Sequence, residues 1–130
     1  MIKFTIPVAP RTKKNHSEIR YRAGHPYIAP SKAYKDFEEK CCWLIPGSAK
    51  SLKIDYPVNV KAVYYVERNA RVDKTNLESA LMDTLVAAGV LADDSALKPA
   101  IVVSTDGSRV VYDKKNPRIE VEIERVEVDG

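Results

Sequence analysis

The sequence predicts one α+β domain over residues 1–130, with two helices packed on a mixed, largely antiparallel sheet of about four to five strands. Segments in which apolar and polar residues alternate are typical of half-buried strands, and they occur before, between and after two segments with helical spacing. A length of 130 residues, with 45% hydrophobic and 30% charged residues, is ordinary for a single soluble globular domain.

Strands are predicted at both ends and in the middle of the chain. Residues 2–6, 56–66 and 118–128 alternate, and Arg125 interrupts the last of these as a bulge or a frayed end. The glutamates of that strand indicate a solvated sheet face. Residues 97–104 are predicted to form another strand. Asp106-Gly107 is a tight-turn signal, after which residues 109–112 are expected to pair back as a hairpin.

The first helix is predicted between Pro30 and Pro46, with Ser31 as its cap. Trp43 is interpreted as a packing residue, since a lone Trp on a helix with an apolar stripe is more often packed than exposed. The adjacent Cys41 and Cys42 are expected to be reduced thiols that bind no zinc. The predicted core stripe of this helix is Tyr34, Phe37, Cys41 and Leu44.

The second helix is predicted over residues 76–88. Thr75 and Glu78 have the spacing of a capping box, and Gly89 is a stop signal. One face is apolar, while Asn76, Ser79 and Asp83 lie together on a polar flank. The predicted apolar face consists of Leu77, Ala80, Leu81, Leu85 and Ala88.

Four carboxylates surround this second helix: Asp73, Asp83, Asp93 and Asp94. A chain that folds back after Gly89 would bring Asp94 toward the polar flank. Crowded carboxylates raise one another's pKa, and a bound divalent cation such as magnesium relieves the repulsion. The alternative is ordinary: Asp near a helix N-terminus interacts with the helix dipole, and Asp-Asp-Ser after a helix is a common solvated turn.

The first part of the chain is basic. Residues 1–50 carry ten Lys and Arg against four Asp and Glu, whereas the remainder carries eleven against fourteen. The segment from residue 11 to 27 is predicted to be a loop in which cations are mixed with aromatic residues. Such a composition suits contacts with phosphates and unpaired bases, although plain solvated loops share it. His16 and His25 have no partner at metal-ligand or triad spacing.

Several classes of function are disfavoured. No apolar run approaches about 18 residues, and the N-terminus is too short and polar for a signal peptide, so a cytoplasmic protein with no membrane partner is expected. No glycine-rich phosphate loop or other motif for a small-molecule cofactor is present.

One combination of segments is more specific than any of these patterns. It consists of Ile6-Pro7-Val8-Ala9-Pro10, Tyr27-Ile28-Ala29-Pro30-Ser31-Lys32, and a block with Asp73, Asn76-Leu77, Ala80-Leu81, Asp83, Leu85, Ala88-Gly89-Val90 and Asp93-Asp94-Ser95. In these segments the chain resembles the RusA family of Holliday junction resolvases, small endonucleases of bacteria and prophages. The resemblance implies a homodimeric, metal-dependent enzyme of recombination and repair that nicks four-way DNA symmetrically. It implies magnesium as the cofactor, with manganese as the alternative.

The resemblance also assigns site residues. The family's first essential Asp falls on Asp73 and its third on Asp94, but the second falls on Thr75 and the catalytic Lys on Ser79. Lys74 is the candidate for the cationic role. Asp83 is preferred to Glu78 for the missing carboxylate, because the capping box would turn Glu78 toward the Thr75 backbone. The expected catalytic residues are Asp73, Asp94 and Lys74; the metal ligands are Asp73, Asp94, Asp83 and Asp93; the DNA contacts are Arg11, Lys13, Lys14, Arg20, Arg22, Lys32, Lys35 and Arg71.

Three alternatives stay open. Thr75 and Ser79 are compatible with a catalytically impaired relative that binds branched DNA without cutting it. A less selective metal nuclease that cuts flaps or single strands is the second alternative. A small metabolic enzyme is the third, and no motif supports it.

Overall fold

The computed structural model describes residues 1–11, 17–30, 32–68, 73–92 and 101–127. Its elements in chain order are β1 (Ile2–Ile6), β2 (Ser17–Arg22), β3 (His25–Pro30), α1 (Lys32–Leu44), α2 (Gly47–Lys50), β4 (Val58–Val66), α3 (Lys74–Ala87), β5 (Val102–Ser104), β6 (Arg109–Tyr112) and β7 (Arg118–Arg125). No helix among these described ranges is long and apolar enough to span a membrane.

The main sheet has five strands in the order β1-β7-β4-β5, with β6 also paired to β4. The pairs β1/β7 and β7/β4 are antiparallel, while β5 and β6 both run parallel to β4. A second sheet contains only β2 and β3. The predicted α+β class with a mixed sheet is confirmed.

Helices cover one face of this sheet. The predicted alternation of β4 is confirmed, because Tyr64 and its neighbours at every second position are buried against the helices. The core joins Val58, Val60, Ala62 and Tyr64 of β4 and Ile119, Val121 and Ile123 of β7 to Cys41 of α1 and Leu77, Leu81 and Leu85 of α3. On the opposite face Glu122 lies between Lys3 and Lys61, at 3.6 and 3.8 Å.

The predicted hairpin of β5 and β6 is wrong. β5 pairs with the start of β4 and β6 with its end, so both strands follow the same edge in the same direction. Polar side chains fill the gap between them: Asn59 Oδ1 accepts from Asp106 N at 2.7 Å, and Ser108 Oγ accepts from Ala62 N at 3.0 Å. The turn at Gly107, with φ +86°, therefore displaces the chain from the edge without reversing it.

The predicted basic loop is partly a hairpin. β2 and β3 pair through a turn at Ala23 and Gly24, whose φ values of 52° and 81° suit the twist of a two-residue hairpin. Ile19 and Ile28 face each other across it and are both exposed. Tyr21 is exposed as well, so the apolar side chains of this hairpin do not join the main core.

The first predicted helix needs two corrections. Leu44, predicted as core, is 38% exposed, and Ile45 is buried instead. The Ile45 N–H donates to Cys41 O, so the helical backbone continues to Ile45 and places its side chain one turn after Cys41. Trp43, interpreted as packing, is 83% exposed. At about 100° per residue Trp43 lies about 200° from Cys41, so the helical wheel already placed its ring off the core stripe. The predicted cap, Ser31, lies outside the described residues.

Candidate active site

Asp73 is the N-cap of α3. Its backbone is extended, and its Oδ1 accepts from Thr75 N at 2.9 Å while its Oδ2 accepts from Asn76 Nδ2 at 3.3 Å. The helix consequently begins at Lys74, before the predicted start at residue 76. The predicted cap at Thr75 is wrong, because Asp73 takes the Thr75 N–H. The Asp73 side chain is exposed and held at the positive end of a helix.

Lys74 reaches toward the β5–β6 connection. Its Nζ donates to Ser108 O at 3.4 Å, and Ser108 is itself held to β4 through Ala62 N. The ammonium therefore has a defined direction, and its side chain is exposed.

Asp83 lies on the side of α3 that faces α1. Burial first, and then the nearby charges of Glu38 and Asp83, raise the pKa of Tyr34 to about 12. The helices also meet where Cys42 Sγ lies 4.0 Å from Thr84 O. Ten residues of α-helix rise about 15 Å, so Asp83 and Asp73 are too far apart to bind the same ion.

Glu78 does not complete a capping box. Its Oε1 is buried with no hydrogen-bond partner, as is the hydroxyl of the fully buried Tyr64. Burial first, and the charge of Glu78 second, raise the pKa of Tyr64. Glu78 thus lies at the edge of the core stripe of α3, over β4, and its carboxylate faces away from Asp73.

The other end of α3 stops at Gly89, as the sequence predicted. Gly89 adopts φ +79°, and Val90 N and Leu91 N both donate to Leu85 O. The chain then runs beside Ile54, which donates to Val90 O at 2.9 Å and accepts from Ala92 N at 2.8 Å. Asp93 and Asp94 come directly after Ala92 and lie outside the described residues.

The predicted DNA contacts divide into three groups. Arg11 is 2.7 Å from Glu67, so its charge is already paired. Arg22 lies over the Tyr27 ring at 5.9 Å, and Lys32 and Lys35 are exposed on the first turn of α1. Lys13, Lys14, Arg71 and the side chain of Arg20 lie outside what the structure describes.

Both cysteines are free thiols, as predicted. Cys41 is fully buried, and burial raises the pKa of its thiol to about 12. Burial also raises the pKa of Cys42. Neither thiol has the lowered pKa that a nucleophile needs near neutral pH.

Among the described residues, Asp73 has the chemistry of a possible metal ligand. Each Asp73 oxygen accepts one hydrogen bond and keeps lone-pair capacity, so the exposed carboxylate suits a single magnesium ligand. Within the described ranges no three His, Cys, Asp or Glu side chains are grouped closely enough to hold a metal ion. Asp93 and Asp94, the other predicted ligands of this site, lie outside the described residues.

Comparison with known proteins gives a family for this arrangement. No curated protein matches the chain. The family described as Endodeoxyribonuclease RusA matches residues 7–124, which include both ends of α3 and nearly the whole sheet. The chain therefore belongs to the RusA endodeoxyribonuclease family.

Proposed function

We propose that the protein is a divalent-metal-dependent endonuclease that resolves four-way DNA junctions by symmetrical nicking, in recombination and repair in the cytoplasm. The family match over residues 7–124 is the observation that carries this proposal. The exposed carboxylate at the start of α3, where the family's first essential Asp falls, supports it.

Asp73, Asp93 and Asp94 would hold magnesium, or manganese in its place. Asp83 is left out of this set because of its distance along α3 from Asp73. When bound, the ion polarises the scissile phosphate and lowers the pKa of a water that attacks it. In this chain the Asp73 cap fixes its carboxylate before any ion binds, because one oxygen is held by Thr75 N and the other by Asn76.

Lys74 would supply positive charge where negative charge develops on the reacting phosphate. Its tie to Ser108 O directs the ammonium, so the side chain loses less conformational freedom when DNA binds. The family's catalytic Lys falls on Ser79 in this sequence. Lys74, at the first position of α3 and five residues before Ser79, would supply the missing positive charge.

The remaining cations would hold the DNA backbone. Arg22, Lys32 and Lys35 are exposed and available for phosphate contacts, whereas the ion pair with Glu67 makes Arg11 a weaker contributor. Symmetrical cutting needs two active sites related by a two-fold axis, so the proposed working form is a homodimer.

The experiment is cleavage of a labelled synthetic four-way junction, compared with a linear duplex of the same sequence. Each substrate is incubated with magnesium, with manganese and with a chelator, using the unaltered protein and Asp94→Asn. We expect paired nicks in the junction only, dependent on the metal and absent in the variant. Equal cutting of the linear duplex would contradict junction selectivity, and cutting by Asp94→Asn would contradict the assigned ligand.

A second function is favoured by one observation: Thr75 brings no charge to the position where the family has its second essential Asp. The corresponding protein binds branched DNA without cutting it. Salt-dependent binding of the junction with no metal-dependent nick would identify it.

A further inference from the structure

Trp43 is an exposed aromatic ring that the proposed active site does not use. It is the only Trp in the chain and is 83% exposed at the last turn of α1, whereas Tyr34 and Phe37 of the same helix pack together with ring centroids 6.1 Å apart. Lys50 Nζ lies 6.0 Å from the centroid of the Trp43 ring. An exposed aromatic ring can stack on an unpaired base, and a cation beside it can contact the phosphate of the same nucleotide.

This pair is fixed to the end of α3 that leads to Asp93 and Asp94. A Cβ on Gly89 would lie 2.8 Å from Lys50 O, so the backbones of the two residues are in close contact. Lys53 N donates to Gly89 O at 3.0 Å, which joins the segment after α2 to the same turn. Trp43 therefore lies beside Lys50, whose backbone packs against the turn after α3.

The surroundings of the ring favour a base over a protein partner. Apart from Leu44, the residues of α1 nearest to Trp43 on the helix surface are charged: Asp36, Glu39 and Lys40. A single ring among charges offers no continuous apolar area for a protein interface. With Lys50 counted, two acidic and two basic side chains surround the ring, so stacking would contribute more to binding than phosphate contacts.

We propose that Trp43 and Lys50 form an accessory nucleic-acid site that stacks on an unpaired base of the bound DNA. The inference rests on the proposed function for the identity of the ligand. It adds a contact that selects distorted or single-stranded DNA over a regular duplex, in which every base is already stacked.

Intrinsic fluorescence tests this directly, because the emission of the chain's one Trp reports Trp43 alone. The protein is titrated, with chelator present to prevent cutting, with a single strand of about twelve thymidines, a length within the range of known single-strand sites. A duplex of equal length is titrated in parallel. We expect saturable quenching by the single strand at concentrations at which the duplex leaves the emission nearly unchanged.

Variants make the test quantitative. With a dye-labelled single strand, Trp43→Ala should weaken binding about fivefold or more, the range for loss of one stacked base. Lys50→Gln should weaken binding less, and Lys115→Gln, the same charge change on an exposed loop, should leave it unchanged. Far-ultraviolet circular dichroism checks that each variant is folded, as expected for side chains outside the core.

Emission that stays constant while the labelled strand binds would overturn the inference, and so would failure of the single strand to bind. Either result, together with normal junction cleavage, would leave the proposed function intact. Quenching without any cleavage of a junction would support the stacking site and contradict the proposed enzymatic activity instead.

Discussion

Asp73 has two roles that a substitution can separate. As N-cap it accepts the Thr75 N–H, and as a proposed metal ligand it supplies negative charge. Asparagine caps a helix about as well as aspartate but is a much poorer ligand for magnesium, whereas alanine can do neither.

We therefore expect Asp73→Asn to change the free energy of unfolding by less than about 0.5 kcal/mol and Asp73→Ala to lower it by about 1 kcal/mol. Both variants should lose junction cleavage. Urea unfolding measures the first effect and the junction assay the second. Cleavage by Asp73→Asn at the unaltered rate would show that Asp73 is a structural cap only.

The sequence could not settle which residue caps α3. Asp73 and Thr75 are both good N-cap residues, and the spacing of Thr75 and Glu78 favoured the later start. A capping box at Thr75 would need the Glu78 carboxylate at the start of the helix. That carboxylate lies over β4 near Tyr64 instead. That placement is a tertiary contact, which local spacing does not encode.

At the scale of elements, the turn after α3 determines how the chain approaches Asp93 and Asp94. Gly89 combines a left-handed backbone with contact against Lys50 O, so a side chain there is both strained and obstructed. Gly24 in the β2–β3 turn has a similar φ of +81° but nothing within 4 Å of the position of a Cβ.

The two glycines form a matched pair. We expect Gly24→Ala to lower the free energy of unfolding by about 1 kcal/mol, the cost of the left-handed conformation alone. Gly89→Ala should cost clearly more, on the order of 2–3 kcal/mol, because backbone must also move. Urea unfolding of both variants provides the comparison. Equal losses of unfolding free energy in the two variants would mean that the backbone at Lys50 moves away from the new Cβ of residue 89 without cost.

The elements themselves were predictable where one face is buried. The apolar faces of β4, β7 and α3 follow from periodicity, because each packs on a single core. The parallel pairing of β6 with β4 was not predictable, since a tight turn usually reverses the chain and the available edge of β4 is a feature of the assembled sheet. Within the candidate site, the helix stop at Gly89 was predictable from the glycine. The separation of Asp83 from Asp73 follows from the rise of the helix alone.

At the scale of the whole molecule, three buried groups that lose a proton at high pH should lower the stability of the fold in alkaline solution. Burial raises the pKa values of Tyr34, Cys41 and Tyr64, which belong to α1 and to β4. The unfolded chain releases these protons at lower pH than the folded one, so raising the pH favours unfolding.

We expect the urea midpoint to be constant near neutral pH and to fall steadily as the pH rises above about 8.5, where an unperturbed thiol begins to ionise. Cys41→Ala should reduce the earliest part of this fall, to which Cys42 also contributes because burial raises the pKa of its thiol too. The midpoint of this variant at pH 7 is lower through loss of buried volume. A midpoint unchanged up to pH 11 would contradict the burial of these groups.

Paired cutting is the central property of the proposed function, in which each of two chains would supply one set of ligands and act on one of two equivalent strands of a four-way junction. A supercoiled plasmid with an extruded cruciform tests this most directly. With magnesium, coordinated cuts by two copies convert it to linear DNA, and Asp73→Asn should leave it supercoiled. Accumulation of nicked circles without linear product would contradict paired resolution, and a plasmid left intact by the unaltered protein would contradict the nuclease itself.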